Sequence, residues 1–220
     1  MSFYPLYKEQ FNLLSSKQKY LLDEIPHLEE IEGWLLLSEA IELFGLSSNI
    51  KSNNPIICEI GVWKGKSSYI FASAIKNKNG ILYSIDPFTG EGDSMSRDTY
   101  QEGIRNMNTT LLGNFETTLN KYKLREYIRI LPMLSEEAHK KFTEPRIDLL
   151  FIDGNHEYEF VKKDYKLWSP LIPSGGIIIL HDVLATHVDG PKQIMQEYII
   201  NKRVWKDVRI VGEMCIATKV

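Results

Sequence analysis

Four acids in this 220-residue chain each close an apolar run: Glu59 in IICE, Asp86 in ILYSID, Asp153 in IDLLFID and Asp182 in IIILHD. A buried carboxylate is costly unless it is paired, so four of them call for a cationic or hydroxyl-rich ligand. After Glu59 come two glycines, Gly61 and Gly65, and then a segment that pairs Ile70 with Ala74 and Phe71 with Ile75 at helical spacing. Strand, acidic tip, glycine turn and helix is the plan of a nucleotide-type cofactor site in an α/β fold. An ionised Glu59 would repel a pyrophosphate and attract a cofactor that carries positive charge. Asp86 follows Gly61 by 25 residues, close to the separation at which an acid reaches a ribose diol; its structural alternative is to cap the DPFTG turn. Ser67 falls in the first turn of the helix, where a hydroxyl and free N–H groups suit a carboxylate; an ordinary helix-start serine is the plainer alternative.

Three neighbouring patterns lead elsewhere and are weaker. Gly61, Gly65, Lys66 and Ser67 are one residue short of a phosphate-binding loop, which needs four residues between its glycines. A dinucleotide turn would need a third glycine, and Glu59 opposes the phosphates of both. Tyr158 and Lys162 have the Tyr-x-x-x-Lys spacing of short-chain dehydrogenases, yet Tyr158, Val161, Tyr165 and Trp168 form one helical stripe and read as core.

The elements that must position these residues alternate from residue 55 onward. Strand-like runs are expected at 56–60, 81–85, 127–131, 147–152 and 176–181, with a closing hairpin of 208–211 and 214–218 around Gly212 and Glu213. Helical stretches are expected near 65–77, 113–123, 135–142, 157–169 and 190–201. Alternation of this kind implies a parallel sheet with helices on both faces and an antiparallel edge, and ligands then bind beyond the carboxyl ends of the strands. Residues 1–50 form an N-terminal helical extension to the 51–220 domain. Leu37, Ile41 and Phe44 make its stripe, Gly45 its expected stop, and packing over one sheet face its plainest role, with a lid or dimer arm as the alternative. The 87–112 segment reads as a long loop of the kind that often covers a site.

Composition narrows the function classes. An apolar fraction of 43% suffices for one buried core. A net charge of −3 without a basic block disfavours a nucleic-acid partner. No apolar run approaches the ~20 residues of a membrane span, and the N-terminus lacks the pattern of a signal peptide. Cys58 and Cys215 both sit in strand-like runs and read as reduced core thiols of a cytoplasmic protein.

Together EIGVWKGKS and FIDGNHEYEFVKKDYKLWSPLIPSGGIIILHDV resemble class I S-adenosylmethionine-dependent methyltransferases, in the form found in catechol O-methyltransferase and macrocin-type sugar O-methyltransferases. The resemblance covers roughly residues 30 to 185. It implies a Rossmann-like α/β fold with a mostly parallel seven-stranded sheet, the last strand antiparallel. It implies S-adenosylmethionine contacts at Glu59, Gly61, Val62, Trp63, Gly65, Ser67, Asp86, Ser135, Glu136 and Asp153. Of these, Glu59 and the two glycines would line the methionine portion, Ser67 its carboxylate, Asp86 the ribose, and Ser135 and Glu136 the adenine. Asp153 and Asp182 match the two acids that hold Mg²⁺ in metal-dependent relatives, whose third ligand directly follows the second; here that residue is Val183. His156 is the candidate base, with Asp153 beside it. The expected reaction is O-methylation of a small hydroxylated metabolite or sugar by a protein that is open to forming a homodimer. The alternatives are a non-catalytic cofactor-binding protein, or a metal oxygenase resembling cephalosporin hydroxylase.

Overall fold

The computed structural model describes residues 14–105 and 107–220. The first thirteen residues of the N-terminal extension, and with them most of the segment read for a signal peptide, lie outside the described residues. Helix α1 (Ser16–Asp23) starts at a capping box in which Ser15 accepts from the Gln18 amide. Helix α2 (Leu37–Ser48) follows, and then strand β1 (Ile56–Ile60) opens the alternating domain. Its successors are α3 (Lys66–Ile75), β2 (Ile81–Ile85), α4 (Arg97–Arg105), α5 (Leu111–Lys121), β3 (Ile128–Leu131), α6 (Ser135–Lys141), β4 (Leu149–Ile152), α7 (Tyr158–Trp168), β5 (Ile177–Leu180), α8 (Gly190–Ile194), β6 (Trp205–Val211) and β7 (Met214–Lys219).

The seven strands form one sheet in the order β3-β2-β1-β4-β5-β7-β6. Ladders from β3 to β5 are parallel, whereas β7 pairs antiparallel with both β5 and β6. Strand order therefore reverses between β1 and β4, and the crevice beyond their carboxyl ends is where such sheets bind ligands. Successive residues of β1 serve opposite layers. Ile57 joins Phe71, Phe115 and Phe151 under α2, α3 and α5, while Cys58 and Ile60 join Val161, Trp168 and Ile194 under α7 and α8. Burial on both faces explains why the central strands read as continuous apolar runs. Cys58 and Cys215 are buried and free. Among the described residues no helix is long and apolar enough to cross a membrane.

Four expectations shift. Gly45 does not stop α2, because the apolar stripe continues through Leu46 and the helix ends where Asn49 turns its side chain back onto the Gly45 carbonyl at 2.7 Å. The 87–112 segment is not all loop: Asp93 accepts from the Met95 and Ser96 amides and so initiates α4. The 190–201 helix keeps α geometry only to Ile194 and continues as a π turn over Met195–Ile199. Strand β6 begins three residues before 208, since buried Trp205 is anchored by its Nε1–H donating to the Tyr165 hydroxyl at 3.1 Å.

Helix α5 backs the glycine turn through Phe115, and its start depends on Thr110, whose hydroxyl accepts from the Gly113 amide at 3.0 Å. Replacing an N-cap threonine with alanine costs about 1 kcal/mol. Thr110→Ala is expected to lose that amount in urea unfolding; an unchanged midpoint would show that the cap contributes nothing.

Candidate functional site

The turn after β1 is built by close backbone approach. Gly61 has φ +90°, and a Cβ there would stand 2.0 Å from the Asp153 carbonyl oxygen. Only glycine lets the β1 turn touch the end of β4 in this way. Gly65, at φ +88°, lies against the Phe115 ring in the same manner. Asp86, at the end of β2, straps this turn: Oδ2 accepts from the Val62 and Trp63 amides at 2.8 and 3.2 Å, and Oδ1 from the Phe88 amide at 2.6 Å. Three of the roughly four acceptor positions of a carboxylate are thereby used. Burial raises its pKa, with those three amides acting against the rise. Strapping holds Trp63 at φ +53°, a conformation that non-glycine residues rarely adopt.

Glu59 overturns the electrostatic argument made from the sequence. Its carboxyl is fully buried under the first turn of α3, where the Ser67, Ser68 and Ser84 hydroxyls donate to it. Burial pushes its pKa up to about 8 against the pull of those three serines. At neutral pH it is therefore mostly uncharged and neither repels phosphate nor attracts a cation strongly. It stands behind the cavity wall, as does Gly65, rather than on it. Ser67 does reach the wall, but its hydroxyl is engaged with Glu59. What it can still offer a ligand is its backbone N–H, which has no intrahelical partner in the first turn.

A cavity of about 620 Å³ opens at this edge, within the range of small-molecule sites. Gly61, Val62, Trp63, Ser67, Asp86, Ser135, Glu136, Asp153 and Asp182 all line it. The start of α6 is already engaged with α7: the Ser135 hydroxyl donates to Asp164, and Lys163 pairs with Glu136 at 2.5 Å. Burial pushes Asp164 up to about 6, with the serine acting against it. Also lining the cavity, Trp34, Trp63 and Tyr100 cluster with ring centroids 4.9 to 5.6 Å apart. These rings come from the segment before α2, from the glycine turn and from α4. The buried Trp63 Nε1–H has no partner, so a donor beside the cavity awaits an acceptor.

At the ends of β4 and β5 the structure brings Asp153 and Asp182 together, but with His181 between them instead of a residue after Asp182. His181 Nδ1 is 3.2 Å from both carboxylates, and one ligand atom from each of the three residues lies within 4.8 Å of the others. Asp182 holds φ +59°, a strain of the kind concentrated at functional sites. His156 is not a free base. Its ring is 6% exposed, with Nδ1 2.7 Å from Asp93 and Nε2 3.0 Å from Asp182. Burial disfavours its charged form, yet Asp153, Asp182 and Asp93 outweigh that and push its pKa up to about 11. Hemmed in by these acids, it is not placed to take a proton from a substrate. Sequence reasoning missed Asp93, Glu39, Asp164, Trp34 and Tyr100, which arrive from elements with no fixed offset to any motif. His181 had a visible signal in its place beside Asp182.

A family model described as a methyltransferase domain matches residues 58–183. An uncharacterized protein of Acanthamoeba polyphaga mimivirus is 29% identical over 143 residues, 64% of this chain and 57% of that protein, so the chain spans little more than half of that relative's length. Among solved structures, the O-methyltransferase NovP superposes with a TM-score of 0.62 at 16% identity, covering 81% of this chain and 79% of that one. The O-methyltransferase TomG of Streptomyces achromogenes, in complex with S-adenosylmethionine, superposes with a TM-score of 0.61 at 13% identity over 94% and 91% of the two chains. At these identities the structural likeness shows the shared class I methyltransferase fold.

Proposed function

The chain belongs to the methyltransferase-domain family, and we propose that it moves a methyl group from S-adenosylmethionine to a hydroxyl oxygen of a small hydroxylated metabolite or sugar. The observation that carries this reading is one cavity running from the Gly61 turn to Asp153 and Asp182 at the sheet's switch point. The unpartnered Trp63 Nε1–H and the close-approach glycine suit a bound cofactor there. When bound, S-adenosylmethionine supplies an electrophilic methyl carbon on a sulfonium.

The chain's own contribution is to hold and align. In this reading Val62, Trp63 and the Ser67 amide hold the methionine end. Asp86 keeps the turn rigid and turns its remaining acceptor position to a ribose hydroxyl, and Ser135 and Glu136 border the adenine. Glu59 and Gly65 act on the cofactor through the turn they support. Asp153, with its side chain 25% exposed, faces the acceptor and orients its hydroxyl. The rings of Trp34, Trp63 and Tyr100 offer flat faces to a ring-shaped acceptor. Displacement at carbon needs donor, methyl and acceptor in line, so alignment alone supplies much of the rate.

Calorimetric titration with S-adenosylhomocysteine tests the cofactor half. Stoichiometric binding is expected; a folded protein that takes up no heat at millimolar ligand sinks the proposal. Isotope-labelled S-adenosylmethionine presented with alcohols, phenols and amines tests the acceptor half, and label appearing only in amine products would overturn the assignment to oxygen.

A further inference from the structure

The two buried histidines beside Asp153 and Asp182 are each gripped from behind by an acid that the sheet does not supply. Asp93, before α4, lies 2.7 Å from His156 Nδ1, and Glu39, on α2, lies 3.3 Å from His181 Nε2. Both acids are 1% exposed and are themselves fixed. Asp93 accepts from the Met95 and Ser96 amides, each at 2.9 Å, and Glu39 from the Leu36 and Glu213 amides, each at 2.7 Å. A carboxylate at one ring nitrogen draws a proton there and directs the other nitrogen forward as a donor of its lone pair.

Those forward nitrogens, His156 Nε2 and His181 Nδ1, are buried and have no hydrogen-bond partner. Yet both are crowded against the same two carboxylates. His156 Nε2 is 3.0 Å from Asp182 Oδ2 and 3.9 Å from Asp153 Oδ1, and His181 Nδ1 is 3.2 Å from each. Protons on both rings would balance the charge but would leave these contacts without hydrogen-bond alignment. A shared cation satisfies Asp153, His181 and Asp182 at once, since one ligand atom from each lies within 4.8 Å of the others, and His156 Nε2 borders that group 3.0 Å from Asp182. Ligands at about 2.0–2.2 Å around a tetrahedral ion lie about 3.4 Å apart, and His181 Nδ1 stands 3.2 Å from a carboxylate oxygen of each aspartate.

The donor set also decides the kind of ion. Mg²⁺ demands oxygen ligands and keeps several waters, which does not fit two imidazoles. Mixed imidazole and carboxylate donors suit first-row transition ions such as Zn²⁺ and Fe²⁺. Carboxylates behind the histidines are the usual outer support of such centres. We propose that Asp153, His181 and Asp182, with His156 Nε2 at the edge of the group, form a site for a divalent first-row transition ion, in which Glu39 and Asp93 position the two imidazoles. The site stands on its own geometry and does not rest on the identity of the methyl donor.

The test uses the untagged chain stripped with chelator, with Zn²⁺, Co²⁺ and Mg²⁺ chlorides as probes and no activity assay. Calorimetry should show one Zn²⁺ per chain, bound at least about 100-fold more tightly than Mg²⁺. Co²⁺ should give visible ligand-field bands that Zn²⁺ abolishes. His181→Ala should remove the Co²⁺ bands, and Glu39→Gln or Asp93→Asn should weaken Zn²⁺ by roughly 10- to 100-fold while circular dichroism stays native. If Glu39→Gln fails to fold, Asp93→Asn and the wild-type Co²⁺ spectrum still decide. No saturable Zn²⁺ binding at millimolar concentration, Mg²⁺ binding as tight as Zn²⁺, or Co²⁺ bands unchanged in His181→Ala would each overturn the proposal. Titration with S-adenosylhomocysteine on the same stripped protein reports the cofactor site separately, so failure of one does not mimic failure of the other.

Discussion

Asp86→Ala is expected to weaken S-adenosylhomocysteine binding by about 100-fold, equivalent to about 2.7 kcal/mol, and to destabilise the fold as well. Its carboxylate holds three backbone amides, those of Val62, Trp63 and Phe88. Leaving a buried donor unsatisfied costs about 1–3 kcal/mol. Water admitted by the smaller side chain satisfies some of the three, so a net stability loss of roughly 2–4 kcal/mol is expected. The larger functional loss has a geometric origin. Trp63 sits at φ +53° because its amide is tied to Asp86, and without the tie it relaxes toward ordinary backbone and carries its indole off the cavity wall. Asp86→Asn is the sharper control. It keeps size and one carbonyl oxygen but turns an NH₂ toward the amides it should accept from, so it is expected to bind nearly as poorly as alanine. Urea unfolding and calorimetry separate the two effects. Binding within about threefold of wild type in Asp86→Ala, where 1.4 kcal/mol is a factor of ten, would remove Asp86 from the site.

The middle of the sheet was legible because its central strands are buried on both faces and so stand out as apolar runs, with a motif acid at or next to the carboxyl ends of β1, β2, β4 and β5. Gly61 was legible for a similar reason, since close approach of two backbones tolerates no other residue. Asp93 and Glu39 could not be read the same way. Each reaches the β4–β5 edge from an element outside the parallel core, one from a segment that looked like loop and one from a helix whose apolar stripe concealed a buried acid. Their separations from their partners, 63 residues for Asp93 to His156 and 142 for Glu39 to His181, obey no local rule. Glu59 failed differently. Its place near the end of β1 was read correctly, but its side chain stands behind the cavity wall, and its charge depends on burial and on Ser67, Ser68 and Ser84, which only the folded chain assembles. The same holds for His156, whose role as a free base was lost once three acids surrounded it.

That burial of Glu59 gives the largest expected effect on stability. Its folded pKa, about 8, lies above the ordinary value of 4.5 that applies when the chain unfolds. Below 4.5 both states hold the proton and the group contributes no pH dependence. Between 4.5 and about 8 the unfolded chain ionises while the folded chain does not, so stability falls as pH rises. The slope is about 1.4 kcal/mol per pH unit, which accumulates to about 5 kcal/mol across the window and then levels off. Glu59→Gln keeps the shape and retains hydrogen bonding to the serines but cannot ionise. Every other titrating group is common to both proteins, so the difference between their unfolding free energies isolates this one. Glutamine should therefore gain on wild type steadily from pH 5 to pH 8, by about 1.4 kcal/mol per unit, in urea unfolding at fixed temperature. Parallel profiles would mean that Glu59 is ionised in the folded chain, and the charge argument made from the sequence would then be restored.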